Sequence, residues 1–161
     1  MNNSFSKIVA VAAVSGLVLT AGCGGGGQAE LEDTPEAEAY LFRQAVMRVV
    51  ANKMLTISGM ARGEIPVDEA VFTKAANDVA TMAGMATEGF MPQGIPNGSR
   101  AEPAIWEDWS DFEERAQNFR DAAQAVAEAA ESGGFDAAQS LVRPLQDTCG
   151  GCHSTYRAPE E

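Results

Sequence analysis

Histidine is almost missing from this sequence: His153 is the only one in 161 residues. A tetrahedral zinc site needs a second Cys/His pair close by, and none exists to complete one. Basic residues are scarce, 11 Lys and Arg against 23 Asp and Glu, for a formal net charge of −12. That balance argues against nucleic acid and anionic membrane surfaces as partners. Aromatic residues make up 7% of a chain that is 45% hydrophobic, enough for one domain of modest core and too little for two. No segment sustains an alternation of period two, so no sheet is expected. The apolar run from Ile8 to Leu19 is too short to span a bilayer comfortably.

What is present centres on Cys149-Gly150-Gly151-Cys152-His153 near the C-terminus. Two thiols three residues apart lie on one side of a helical turn and can add to the two vinyl groups along one haem edge. The imidazole directly after the second thiol is then carried under the iron as its proximal ligand. The run therefore reads as the attachment site for one covalent haem c. The alternative, a redox dithiol, follows a strand and opens a helix in an α/β pattern that this chain lacks.

The N-terminus reads as an export leader. A polar start with Lys7, the apolar run and the small residues Thr20-Ala21-Gly22 give a signal peptide over residues 1–22. Leu19-Thr20-Ala21-Gly22-Cys23 resembles the lipobox of bacterial lipoproteins, which implies that Cys23 receives a lipid and becomes the mature N-terminus. One departure is Thr20, where a larger aliphatic residue is usual, so ordinary cleavage in the same zone is the other reading. Residues 23–34, with four consecutive glycines and an acidic end, form a flexible tether. Bacterial haem attachment takes place outside the cytoplasmic membrane, so the expected location is the periplasm, with the domain lipid-anchored to a bacterial membrane.

Residues 35–161 form the domain. Thr34-Pro35 opens a first helix over 35 to 61, with Tyr40, Met47, Met54 and Ala61 on one row and Ala51 and Ser58 beside it. Gly63 and Pro66 end it. Asp68 caps a second helix, 68 to 88, whose buried face includes Val71, Ala75, Val79, Met82 and Ala86. Proline and glycine break residues 89 to 100. Pro103 opens a third helix, continuous to about Glu131, with Ile105, Trp106, Trp109, Phe112, Ala116, Phe119, Ala123 and Val126 on its apolar face. Ser132-Gly133-Gly134 stops it. A fourth helix from Phe135 or Asp136 carries Leu141, Leu145, Cys149, Cys152 and Tyr156, and Pro144 is expected to kink or split it. The pattern predicts an all-α, antiparallel four-helix bundle.

In this arrangement the chain resembles the class II c-type cytochromes, the cytochrome c prime family and its low-spin relatives. The resemblance rests on the C-terminal haem motif followed by Tyr156-Arg157, the Arg43-Gln44 pair, Met60-Ala61-Arg62-Gly63-Glu64, and Pro103-Ala104-Ile105-Trp106 with Trp109 and Phe112. It implies a bundle, often a homodimer, holding haem among its helices near one end. It also implies that the residue four after Arg43, here Met47, decides the distal side: methionine ligates iron in the low-spin relatives, whereas an apolar residue shields an open position in gas-binding members. Met47 as a core filler is the other reading, and Met54 is the next candidate ligand. Arg43, one turn from Met47, can pair with a haem propionate, or be a surface arginine beside a glutamate. Arg157 resembles the family's basic residue flanking the proximal face, or is simply solvated at the chain end.

The leading expectation is an electron carrier rather than an enzyme, with His153 and Met47 as axial ligands. Its acidic surface would steer it toward a redox protein with a basic docking patch, or would merely aid solubility. The alternatives are a five-coordinate haem binding nitric oxide or another small gas, and a structural or sensory haem lipoprotein.

Overall fold

Three of the four long helices begin where a capping side chain precedes a run of helically spaced apolar residues. The structure, a computed structural model, describes residues 33–160. The expected signal peptide, Cys23 and the tether through residue 32 lie outside the described residues. Helix α1 spans Pro35–Ala61; the Thr34 hydroxyl accepts from Ala37 N at 3.2 Å and Pro35 holds the first helical position. It closes with Glu64 N donating to Gly59 O at 2.8 Å and Gly63 N to Met60 O at 3.0 Å, with Gly63 at φ 71°. That left-handed residue is why glycine follows the helix.

Helix α2 spans Glu69–Gly84, capped by Asp68, whose carboxylate accepts from Val71 N at 3.0 Å. It is shorter than the expected 68 to 88. The chain leaves it at Met85 and forms a single 3-10 turn, Glu88–Phe90, against α1. The third helix is not continuous either. A short α3, Ala104–Glu107, is followed by α4, Trp109–Ala138, because Asp108 leaves the helical region and caps α4 by accepting from Asp111 N at 3.2 Å. Asp favours this position because its carboxylate satisfies an orphan amide there.

Within α4, Gly134 (φ 69°, ψ −161°) breaks the helix at the predicted Ser132-Gly133-Gly134 stop. From Phe135 the chain runs into a 3-10 turn, Gln139–Leu141, and then α5, Val142–Tyr156. Pro144 sits in the first turn of α5, where its missing amide costs little. The crowding it imposes on the carbonyl of Ser140 accounts for the tightened turn just before it. The split expected at Pro144 thus falls three to five residues upstream.

Helices α1, α2, α4 and α5 form the four-helix bundle. Its main core joins Ile57, Phe72, Val79, Val126, Val142 and Leu145, all at most 2% exposed, with Phe72 meeting Phe135 edge-on at 5.1 Å between ring centres. Two expected core positions are corrected. Val71 is 46% exposed and Phe72 takes its place, one step of about 100° around α2. Ala51 is exposed, and α1 buries Val46, Val50 and Ile57 most deeply, while Met47, Met54 and Ala61 of the expected row pack half-buried against the same core. That row faces a cavity. A second, smaller cluster of Ile105, Phe112 and Tyr156, joined by Phe90, Trp106 and Trp109, borders the same cavity.

Candidate haem site

The cavity has a volume of about 620 Å³, within the range of small-molecule and cofactor sites, and opens between α1 and α5. Met47, Met54, Val50, Phe90, Ile105, Phe112 and Phe119 supply apolar wall, and Cys149, Cys152 and His153 stand along its α5 side. Hydrogen bonds at both ends fix how the two helices face each other. Gln146 Nε2 donates to Ser58 Oγ at 2.8 Å near the start of α5. At the other end Tyr40 Oη donates to Gly98 O at 2.8 Å, and the adjoining Arg100 carbonyl accepts from Ala158 N at 2.8 Å. Met47 therefore lies between these ties on α1, as His153 does on α5, whereas Met54 lies closer to the Ser58 end.

Both thiols are free and half-buried. Burial pushes both up from their ordinary values, with the Arg115 guanidinium working in the opposite direction at Cys152. Such thiols lack the thiolate character of a redox dithiol. Much of His153 meets solvent at the mouth, yet the surrounding protein desolvates its ring and, with Arg100, holds its pKa below the ordinary value. That favours neutral imidazole, the form that binds iron.

Arg43 is 7% exposed, so the surface-pair reading is excluded. Its Nη1 donates to Gly89 O at 2.6 Å, its guanidinium stacks 4.8 Å from the Phe90 ring centre, and burial lowers its pKa. Its Nη2 is buried with no partner. Five arginines, Arg43, Arg48, Arg100, Arg115 and Arg157, line the cavity, and among the described residues no Asp or Glu does. A buried guanidinium with an idle donor and no facing carboxylate calls for an anionic group in the cavity. A haem carrying two propionates supplies that charge, and the apolar wall and paired thiols suit the rest of it.

Arg157 lies at the rim, exposed, with its guanidinium 3.8 Å from Glu160, which Arg100 also meets at 3.0 Å. Beside the motif, Arg115 Nε donates to Asp111 Oδ2 at 2.6 Å, and its Nη1 donates to the Gly151 carbonyl. Tyr156 Oη donates to the same Asp111 oxygen. These bonds hold the Asp111 carboxyl below the usual carboxylate range, Tyr156 first and Arg115 second. Burial, then the Asp111 bond, push Tyr156 up to about 12. Sequence reasoning did not pick out Asp111, Arg115 or Gly89. The i,i+4 spacing of Asp111 and Arg115 was a usable signal, since Arg115 interrupts the Phe112–Ala116–Phe119 apolar face; Gly89 carried none.

Taken together, the bundle and its thiol-lined, arginine-rimmed cavity define a haem-binding helical protein of the c type. The family description Cytochrome C' matches residues 38–157. Cytochrome c-554 of Cereibacter sphaeroides is 36% identical over 121 residues, covering 71% of this chain and 77% of that protein. Cytochrome c prime from Shewanella frigidimarina superposes with a TM-score of 0.74 at 30% identity, covering 80% of this chain and 99% of that one. A nitric oxide complex of a cytochrome c prime variant from Alcaligenes xylosoxidans gives 0.70 at 25% identity, over 79% and 98%. The chain belongs to the cytochrome c' family. It is a monohaem protein whose single c-type haem is bound covalently through cysteine.

Proposed function

We propose that this protein is an electron-transfer cytochrome whose haem is joined to Cys149 and Cys152, with His153 as proximal and Met47 as distal axial ligand. The observation that carries this reading is that one cavity gathers Met47 and the Cys149–His153 run from opposite helices, between ties that hold those helices in register. The haem supplies a redox-active iron. Met47 offers a thioether from a half-buried position, a ligand that raises the potential of His-bound iron. Arg43, fixed by Gly89 and Phe90, presents its free Nη2 to a propionate, and Arg157 and Arg100 add positive charge at the rim. A fully ligated iron changes little in geometry on reduction, which suits electron carriage rather than bond-making catalysis.

A second reading, an open distal position that takes nitric oxide, is favoured by the nitric oxide complex of the similar Alcaligenes protein. The absorption and electron-spin spectra of the ferric protein separate the two. Electron transfer with Met47 ligation requires a low-spin wild type that becomes high-spin in Met47→Leu. A high-spin wild type, unchanged by the substitution, refutes the ligation and leaves the gas-binding reading.

Among the described residues no helix is long and apolar enough to cross a membrane. We further propose that the domain is periplasmic and held to a membrane by lipid on Cys23; mass analysis of the mature N-terminus should find the acyl groups there, and an unlipidated terminus rejects the anchor. Leu41 and Leu55, 54% and 71% exposed on the outer side of α1, support a homodimer through that face. A redox partner with a basic patch is expected to meet the acidic surface away from the arginine-lined mouth.

A further inference from the structure

The haem motif contains its own weak point. Gly150 and Gly151 are exposed, and a Cβ built on either would meet nothing within 4 Å, so no packing holds this turn of α5 from outside. Two glycines in a row inside a helix also loosen it by about 1 kcal/mol each relative to alanine. The His153 ring must nevertheless stand in one place if it is to bind iron reproducibly.

One side chain reaches across to this turn. Arg115, from α4, donates from Nη1 to the Gly151 carbonyl and lies 3.4 Å from Thr155 Oγ1. Its other edge is fixed by Asp111 at 2.6 Å, its plane rests 5.5 Å from the Tyr156 ring centre, and Tyr156 bonds the same carboxylate. The guanidinium thus sits over the carbonyl end of α5, where the helix dipole is negative and a cation is favoured. Its side chain is 34% exposed, so the charge is partly screened without being lost to bulk water.

We infer that Arg115 is a positioning residue for the haem-attachment turn, clamping Gly151 and Thr155 to α4 and holding a positive charge next to the proximal side of the site. The inference rests on the haem reading proposed above for Cys149, Cys152 and His153. A fixed cation near the iron favours the reduced state, which carries one positive charge fewer, and a fixed carboxylate disfavours it. Arg115 and Asp111 therefore act on the iron with opposite signs while sharing one structural role.

The experiment is a redox titration of the purified holoprotein, with amide exchange followed across residues 149–156, in the wild type, Arg115→Gln, Arg115→Lys and Asp111→Asn. Arg115→Gln is expected to lower the equilibrium constant for reduction several-fold, up to about tenfold, or 59 mV for one electron. Asp111→Asn is expected to shift it the opposite way. Exchange at residues 150–155 should rise in Arg115→Gln. Arg115→Lys, which keeps the charge and loses the fork, should restore the potential while exchange stays raised. If Arg115→Gln fails to retain haem, the Lys and Asn variants still decide the matter by the sign of their shifts and by exchange. Equal exchange in all four proteins, or shifts of the same sign in Arg115→Gln and Asp111→Asn, overturns the assignment. A wild type without covalent haem would instead refute the haem reading beneath it.

Discussion

Replacing Gly89 by alanine tests the seating of Arg43 without altering Arg43 itself. A Cβ at position 89 would lie 2.5 Å from Arg43 Cγ, 2.9 Å from the Ala39 carbonyl oxygen and 3.0 Å from a Phe42 ring carbon. The Ala39 oxygen is backbone and cannot turn aside. Arg43 Cγ belongs to a side chain whose tip is already tied to Gly89 O at 2.6 Å, so moving it breaks that bond. The 3-10 turn Glu88–Phe90 is pinned on its other side, where Trp106 Nε1 donates to Phe90 O at 2.9 Å. The turn must therefore lift off α1. Overpacking of this kind costs about 1–3 kcal/mol, and a weakened hydrogen bond from a charged donor about 1.5–3 kcal/mol. The two overlap, so we expect about 3 kcal/mol in all, or about 10 °C in the unfolding midpoint of a domain this size. Thermal unfolding of the holoprotein by far-ultraviolet circular dichroism measures it, with Gly84→Ala as control. A Cβ at Gly84 meets nothing within 4 Å, so that midpoint should hold or rise. A Gly89→Ala protein with the wild-type midpoint would refute the steric argument and with it the idea that glycine is required to seat Arg43.

Three further outcomes are expected. Gly134→Ala should lower the denaturant midpoint by the equivalent of about 1–3 kcal/mol, because φ 69° with ψ −161° is a region open essentially to glycine alone; a midpoint equal to wild type would mean the break between α4 and the last helical stretch relaxes freely. The Asp111 carboxyl is held low in the folded state, so its contribution is present above the unfolded value of about 3.9 and lost as pH falls through the folded value. Urea midpoints should accordingly show Asp111→Asn less stable than wild type at pH 6, with the gap narrowing by pH 3; a constant gap contradicts the linkage. Replacing Cys149 and Cys152 together by alanine should abolish covalent haem and lower both helix content and the thermal midpoint, since a ligand bound only by the folded state stabilises it. A fully helical, equally stable double variant would show that the core does not depend on haem.

Helix existence and most boundaries were readable because caps and stops are local chemistry. Thr34 and Asp68 cap by side chains that accept from amides three residues on, Gly63 and Gly134 act through their own backbone, and each appears where the sequence placed it. The errors came where tertiary packing chose among local options. Asp108 split the third helix, since a capping carboxylate and a helical residue look alike in sequence. Val71 and Phe72 exchanged roles because both fit an apolar stripe and only the neighbouring helix decides between them. The haem motif was legible because its spacing is covalent chemistry, and Met47 and Arg43 do line the same cavity. That Arg43 is buried, with one donor idle, depends on Gly89, forty-six residues away, and no periodicity carries that information.

The two thiols of the motif do not rest on the same part of the molecule. Cys149 packs against the main core built from α1, α2, α4 and α5, whereas Cys152 packs against the separate aromatic cluster of Ile105, Phe112 and Tyr156. A rigid ring bonded to both sulfurs is thus a brace across the seam between two hydrophobic bodies that are otherwise joined by α4, α5 and the Arg43 contacts with Gly89 and Phe90. It makes the stability of each depend on the other, so that the holoprotein melts as one cooperative unit, while without the brace the aromatic end is free to come apart first.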